Sequence, residues 1–379
     1  MKSYDFIYGP RLISGAGAAR QLGDLMPAGR CLFVTDAHVR GLGLADEALA
    51  SLANARIETI LFDAVEADPS RDTLMAAVEA GDGCSSVVGF GGGSPMDVAK
   101  LAAYLIGSGD ELDLLWGVGK AKGVGLPLAL VPTTAGTGSE ATPVSVITVA
   151  GAEKRGVNSP ALTAKWALLD AELTLGLPAH VTAATGMDAM VHAIEAYTSA
   201  RLKNPISDML AREALRLLSR NLLTACEQPG DLQARTSMLL GSHLAGVAFA
   251  NAPVAGVHAL AYPLGGHFHV PHGLSNALML AHVLGHNMPA AMASYAELAT
   301  VVDPNLASDG MQGQAQAFVE HLSSLSRRSG LPQRLREVGV TAGHLGLLAS
   351  EALKQERLLV NNPRPISEAD ARRLYEAAL

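Results

Sequence analysis

The chain is 379 residues long, with 49% hydrophobic and 17% charged residues and a formal net charge of −8. At roughly 150 residues per domain, that length suggests two domains with large cores. The acidic balance argues against a nucleic-acid binder driven by phosphate contacts, and three scattered cysteines (Cys31, Cys84, Cys226) give no disulfide framework or thiolate metal site.

The N-terminal "MKSYDFIYGPRL" has no apolar run of signal-peptide length, so a cytoplasmic location without a membrane partner is the expectation. "DFIYGPRLISG" (5–15) predicts an opening hairpin or edge strand. Further strands are predicted at "CLFVTD" (31–36), "IETILFD" (57–63), "SSVVGFGGG" (85–93) and "LPLALVPTT" (126–134), with helical patterns between them at 70–82 and 94–107. This alternation predicts a parallel sheet covered by helices. After "LPAHVTAATG" (177–186) the strand signals thin out, and helices are predicted at 187–200, 206–226, 231–249, 274–287, 289–301 and 312–329. The expected fold is an α/β N-terminal Rossmann-like domain with a parallel sheet, residues 1–177, then an all-helical C-terminal domain, residues 178–379.

Within the helical part, "GMDAMVHAIEAY" (186–197) places Asp188 and His192 four residues apart, on one face of a mostly apolar helix. Such a pair alone is more often a hydrogen-bonded structural contact. The stretch from Thr236 to Ala296, however, contains no Asp, Glu, Lys or Arg and holds seven of the twelve histidines. A buried carboxylate there needs a counter-charge, and buried imidazoles need hydrogen bonds or a metal. Pro, Gly, Asn and His interrupt this stretch too often for a clean membrane span of ~20 residues. "GVHALAYPLGGHFHVPHG" (256–273) offers His258, His267, His269 and His272. Asp188, His192, His258 and His272 together make a one-oxygen, three-nitrogen set that suits Fe(II) or Zn(II) with room for a substrate oxygen. His282 and His286 read as packing residues.

Three glycine-rich segments compete for a nucleotide. "GAGAAR" (15–20) fails the dinucleotide pattern at its last position, and "GTGSEA" (136–141) satisfies it in a form too short to be specific. "GFGGGSPMD" (89–97) follows an apolar strand and opens a helix, where backbone N–H groups can cradle a pyrophosphate.

Taken together, "GMDAMVHAIEAY" and "GVHALAYPLGGHFHVPHG" resemble the two signature regions of the iron-containing (group III) alcohol dehydrogenases, which share a fold with dehydroquinate synthases. The resemblance runs over nearly the whole chain, through "FVTD", "GGGSPMDVAK", "VPTTAGTGSE", "LLDAELTLGLP" and "NNPRPIS". It implies metal ligation by Asp188, His192, His258 and His272, with Fe(II) expected and Zn(II) as the alternative. It implies a pyrophosphate at Gly92, Gly93 and Ser94, flanked by Thr133, Thr134 and Thr137, and a Lys near the nicotinamide for which Lys154 or Arg155 is the candidate. Asp36, ending the first clear strand, would meet the adenosine ribose and repel a 2′-phosphate, which implies NAD(H) over NADP(H).

One departure stands out. Where the family usually carries a His, four residues after the third ligand, this chain has Tyr262. A phenol is a poor base at neutral pH. The expected catalytic pair is therefore Tyr262 with His267 as a substitute base. The implied activity is reversible hydride transfer between a primary alcohol and NAD by a homodimer. Glycerol-dehydrogenase-like and maleylacetate-reductase-like oxidoreductases are the alternatives, with a dehydroquinate-synthase-like lyase behind them because the charge-free stretch lacks the cations a polyanion needs. A non-catalytic sensor is a further rival with no appended segment to support it.

Overall fold

A computed structural model of the chain describes residues 3–149, 153–306 and 310–379. The chain forms two compact units, one spanning Tyr8–Leu175 and the other Gly176–Leu379 with the N-terminal segment that ends at Ile7.

The first unit carries nine strands: β1 (Arg11–Ser14), β2 (Arg30–Val34), β3 (Glu58–Phe62), β4 (Ser86–Gly91), β5 (Gly117–Val118), β6 (Leu128–Pro132), β7 (Val144–Thr148), β8 (Lys154–Asn158) and β9 (Trp166–Leu169). Six make one sheet in the order β1-β9-β6-β4-β2-β3, parallel at every pairing. The four inner strands, β9, β6, β4 and β2, are buried on both faces, which is why strands such as these read as continuous apolar runs rather than alternating ones, whereas the edge strands β1 and β3 are partly exposed. Leu32, Val34, Val87, Leu128 and Leu130 join a core on one side. Their strand neighbours Cys31, Phe33, Val88, Phe90, Ala129 and Val131 join the core on the other. The predicted hairpin or edge strand near the N-terminus is an edge strand, since β1 pairs in parallel with β9. A small second sheet, β5-β8-β7, was not visible in the sequence; β7 and β8 pair antiparallel.

Strand order decides where a ligand can sit. The chain runs outward from β2 to β3, returns to β4 beside β2, then continues the other way through β6 to β9. The order therefore reverses between β2 and β4. In open α/β sheets, ligands bind beyond the carboxyl ends of the strands at such a switch point. The register pairs Val34 with Gly89, so Asp36 and Gly91 emerge side by side there.

The second unit is helical. Its main helices are Ala179–Thr198, Pro205–Glu227, Leu232–Asn251, Gly256–Phe268, His272–Val302 and Gly310–Arg328. Two expectations need correction. The first helix begins at Ala179 and not at 187, because Pro178 precedes it as N-cap and the Thr- and Gly-containing turn that follows is helical. Gly186 is tolerated there because a side chain would collide with Leu222 and Met238, 2.6 and 2.7 Å away. The helices predicted at 274–287 and 289–301 are one helix, His272–Val302, with Pro289 inside it. Proline costs a helix one hydrogen bond, but Leu284, Asn287, Ala291 and Tyr295 are buried on either side and hold it through. Among the described residues no single helix is long and apolar enough to cross a membrane.

Strand β4 and helix Gly93–Ser108 approach closely through Gly89, whose Cβ would lie 2.6 Å from Ala99 Cβ and 2.7 Å from Leu130 Cδ2. Gly89→Ala is therefore expected to destabilise the protein by about 1–3 kcal/mol through overpacking. Urea denaturation tests this, and an unchanged midpoint would show slack between strand and helix.

Candidate metal centre and dinucleotide cradle

Asp188 and His192 project from one helix, His258 from the first turn of Gly256–Phe268, and His272 opens His272–Val302. Local chemistry brings them together. His269 adopts a left-handed conformation that ends the second helix, and extended Pro271 starts the third. Gly273 lies against the first helix so tightly that a Cβ would collide with the Ala184 carbonyl oxygen. Gly256 is equally confined by Asn362 and Ile366, and its N–H donates to Asn362 Oδ1 at 3.2 Å. Asn361 and Asn362, from the terminal "NNPRPIS", thus anchor the start of the His258 helix; Asn361 Nδ2 donates to Val254 O at 3.1 Å.

The donor atoms of Asp188, His192, His258 and His272 all lie within 4.8 Å of one another. Ligands bonded at 2.0–2.2 Å to one tetrahedral ion stand about 3.5 Å apart. The cluster thus closes by roughly an ångström at its widest pair to hold one. Asp188 Oδ1 is 3.6 Å from His272 Nε2 and 3.9 Å from His258 Nε2. The His192 ring stacks on Phe249 at 4.4 Å and on His258 at 4.8 Å. Asp188, His192 and His258 are buried, whereas the His272 side chain is 38% exposed and leaves one side of the cluster open. Burial pushes the Asp188 carboxyl upward, but His192, His272, His258 and Asn276 more than offset it and hold the group below the usual range. Three imidazoles and a carboxylate are a donor set that fits a divalent transition metal.

Glu195 belongs to this centre and was missed in the sequence. It is buried on the Asp188 helix. Its carboxylate accepts from Ala255 N at 2.7 Å and Val257 N at 2.6 Å, and its Oε2 lies 2.7 Å from His258 Nδ1. A proton held on Nδ1 leaves the Nε2 lone pair of His258 facing the cluster. The signal was present: a lone acid seven residues after Asp188, hence on the same helical face.

The expected catalytic pair divides. Tyr262 does reach the cluster, with its ring 5.8 Å from that of His272 and 6.5 Å from that of His258. Burial pushes its hydroxyl above the ordinary phenol range; the positive charge of Arg357 opposes this, while Asp188 and Glu195 push the same way as burial. His267 is corrected. It lies exposed in the last turn of the helix. Nine residues after His258 it is turned by about 180°, to the opposite helical face, and displaced by roughly 13 Å.

In the first unit, Gly92 caps helix Gly93–Ser108. Gly91 has φ +144°, and a Cβ there would meet Pro95 at 2.9 Å and Asp36 Oδ2 at 3.4 Å. At Gly93 it would meet Thr137 Cγ2 at 3.0 Å, and at Gly92 Thr134 Oγ1 at 3.7 Å. Thr133 N donates to Gly91 O at 2.9 Å. Asp36, Gly92, Gly93, Ser94, Thr133, Thr134 and Thr137 are thus gathered around a bare-backbone cradle at a helix N-terminus, which suits a pyrophosphate. Asp36 also caps the next helix, its Oδ1 accepting from Val39 N at 2.8 Å.

Lys154 is not among these contacts; its ammonium pairs with Asp68 at 2.6 Å. Lys100 is structural. It is fully buried, pairs with Asp97 at 3.2 Å and donates to Val144 O. Asp97 in turn accepts from Ser139 Oγ at 2.6 Å and Val146 N at 2.9 Å, which pins the "GTGSE" segment to the cradle helix.

Comparison with known proteins bears on both sites. The family model "Iron-containing alcohol dehydrogenase" matches residues 9–171, and the model of the C-terminal part of the Fe-containing alcohol dehydrogenase family matches residues 182–379. Long-chain-alcohol dehydrogenase 1 of Geobacillus thermodenitrificans (strain NG80-2) is 41% identical over 352 residues, 92% of this chain and 89% of the relative. NAD-dependent methanol dehydrogenase of Bacillus methanolicus is 30% identical, covering 99% of this chain and 100% of the relative. Among solved structures, a 1,3-propanediol oxidoreductase superposes with a TM-score of 0.96 at 34% identity, over 100% of both chains.

The contact between Glu195 and His258 can be tested directly. Glu195→Gln is expected to weaken divalent-metal binding by about 10–100-fold, as loss of an outer partner of a ligand does. Competition with a chelator of known affinity measures this. Unchanged affinity would show that the carboxylate serves only the backbone of residues 255–257.

Proposed function

The chain belongs to the iron-containing alcohol dehydrogenase family, and from that membership we propose that it moves hydride between a primary alcohol and NAD(H) with Asp188, His192, His258 and His272 holding a divalent metal. The activity class is NAD-dependent alcohol oxidoreductase. The observation that carries the assignment of the centre is the convergence of the four donors within 4.8 Å. When bound, the ion supplies Lewis acidity toward the alcohol oxygen, and the nicotinamide accepts the hydride.

The chain's own residues do the rest. Asp188 contributes the negative charge that retains the ion, and Glu195 fixes the tautomer of His258. The open side at His272 admits the substrate oxygen. Tyr262, protonated at neutral pH, serves as a hydrogen-bond donor beside the ligands. The cradle at Gly92, Gly93 and Ser94 receives the pyrophosphate on backbone N–H groups, with Thr133, Thr134 and Thr137 along its flank. Lys154, already paired on the surface, is dropped from the cofactor contacts. Iron is the metal of the proposal, since three imidazoles and one carboxylate with an open side suit Fe(II), and zinc is the competitor the test must separate. A cytoplasmic homodimer is part of the same proposal; the outer edge of β1, which among the described residues pairs with β9 alone, supports the dimer.

Chelated protein reloaded with Fe(II) under anaerobic conditions should regain NADH oxidation with short aldehydes, and Zn(II) should restore less. Asp188→Ala and His272→Ala should lose metal retention and turnover together. Full activity in metal-free protein would refute the assignment.

Asp36 sets the second test. Asp36→Asn keeps an equally good helix cap but removes the charge that opposes a 2′-phosphate. The ratio of kcat/KM for NADPH over NADH should rise about tenfold, since charge repulsion near a surface is of order 1–4 kcal/mol at 4 Å, while Tm stays constant. A parent enzyme that already prefers NADPH would overturn the role of Asp36.

A further inference from the structure

Asn276 lies one helical turn after His272 and is fully buried. Its Nδ2 is 2.6 Å from Asp188 Oδ1, 3.2 Å from His258 Nε2 and 3.3 Å from His272 Nε2. One atom therefore joins three of the four donors, drawn from three different helices. The donors stand farther from each other, with Asp188 Oδ1 3.9 Å from His258 Nε2 and 3.6 Å from His272 Nε2.

A primary carboxamide has two N–H groups. The short contact commits one to the Asp188 carboxylate, where a hydrogen bond to a charged acceptor is strong. The other can serve His258 or His272 in the metal-free centre, since each Nε2 has a single lone pair, which a bound ion would take. Because Glu195 faces Nδ1 of His258, the Nε2 lone pair of that ring is turned toward Asn276. The amide oxygen gains nothing in return: Oδ1 is buried without a hydrogen-bond partner among the described residues. The place of this side chain is thus set by what its nitrogen holds.

We propose that Asn276 is a positioning residue of the metal centre: its buried amide orients the Asp188 carboxylate and, until an ion takes their lone pairs, keeps His258 and His272 spaced for it, and so governs how tightly the ion is held without ligating it. The inference rests on the metal centre proposed above. It goes beyond the four donors, because it makes affinity depend on a group outside the ligand set.

The test uses the full chain stripped of metal, with Co(II) as probe. Three quantities are read: Co(II) affinity by chelator competition, the visible bands of bound Co(II), and the Tm of the stripped protein. Asn276→Leu, close in volume, should fold with a similar Tm and bind Co(II) about 10–100-fold more weakly, with bands that still report the same number of coordinated donors. Affinity within threefold of the parent would overturn the proposal. So would bands that report one coordinated donor fewer, which would make Asn276 a ligand in its own right.

Asn276→Asp decides the matter if the leucine variant does not fold. It sets a second carboxylate against Asp188, so its stripped Tm should fall and Co(II) should raise Tm by more than in the parent. Equal increments would overturn the proposal. A parent that binds no Co(II) would instead overturn the metal centre itself, and this inference with it.

Discussion

Asp188 and Glu195 lie seven residues apart on one buried helical face, beside a stretch, 236–296, with no charged side chain. Carboxylates in such surroundings lose their charge unless something compensates them. Glu195 is compensated by two backbone N–H groups and the His258 ring. Asp188 has Asn276 and the imidazoles around it. With neutral imidazoles the pair carries a formal charge of −2, which a divalent cation balances. Coulombic compensation acts over a few ångströms, so the backbones must come close. Gly186, Gly256 and Gly273 permit this, each at a point where a Cβ would strike a neighbouring helix or loop. Much of the packing of the helical unit can be read as the means of bringing those donors together.

On the proposed reading the α/β unit meets the opposite problem, holding an anion, and does so mostly without side-chain cations. Its one fully buried lysine, Lys100, is consumed by Asp97 and the Val144 carbonyl. Burial lowers the pKa of that lysine, and Asp97 and Glu140 oppose the shift. The attraction left for a pyrophosphate is the N-terminus of helix Gly93–Ser108 and the N–H groups of the glycine turn. Such a cradle works only if the turn cannot relax. The Asp97–Lys100 pair supplies that rigidity from beneath, and Thr137 closes over Gly93 from above. A buried ion pair is weak evidence for stability; here its hydrogen bonds to Ser139 and Val146 show what it positions.

These two solutions explain what the sequence revealed and what it hid. Strands β2, β4 and β6 were legible because inner strands of a covered parallel sheet need continuous apolar runs; the partly exposed β3 was legible from its β-branched and aromatic residues, while β9, equally buried but only four residues long, was not predicted. β7 and β8 were not, since a short, half-exposed pair lacks such runs. Pro289 looked like a helix end because propensity is local, whereas the packing that overrides it is not. The four donors stood out through helical spacing and the charge-free stretch. Glu195 and Asn276 act across helices, and nothing local announces which neighbour a buried face will meet. His267 failed for the converse reason. Its composition matched the task, but the helical period turns it away from His258.

Tyr262 shows how far a single substitution reshapes the proton chemistry of the proposed site. A phenol can pass a proton without ionising, by donating one while accepting another, but only if an acceptor lies beyond it. The cation that acts on Tyr262 is Arg357, and a guanidinium has donors and no acceptor. Arg357 therefore offers no site to which Tyr262 could pass a proton. On the proposed reading, then, Tyr262 orients the substrate oxygen as a donor. The open path lies where the His272 side chain reaches solvent. On the same reading, proton release is left to water at that opening, and a phenol in place of an imidazole at position 262 is compatible with hydride transfer.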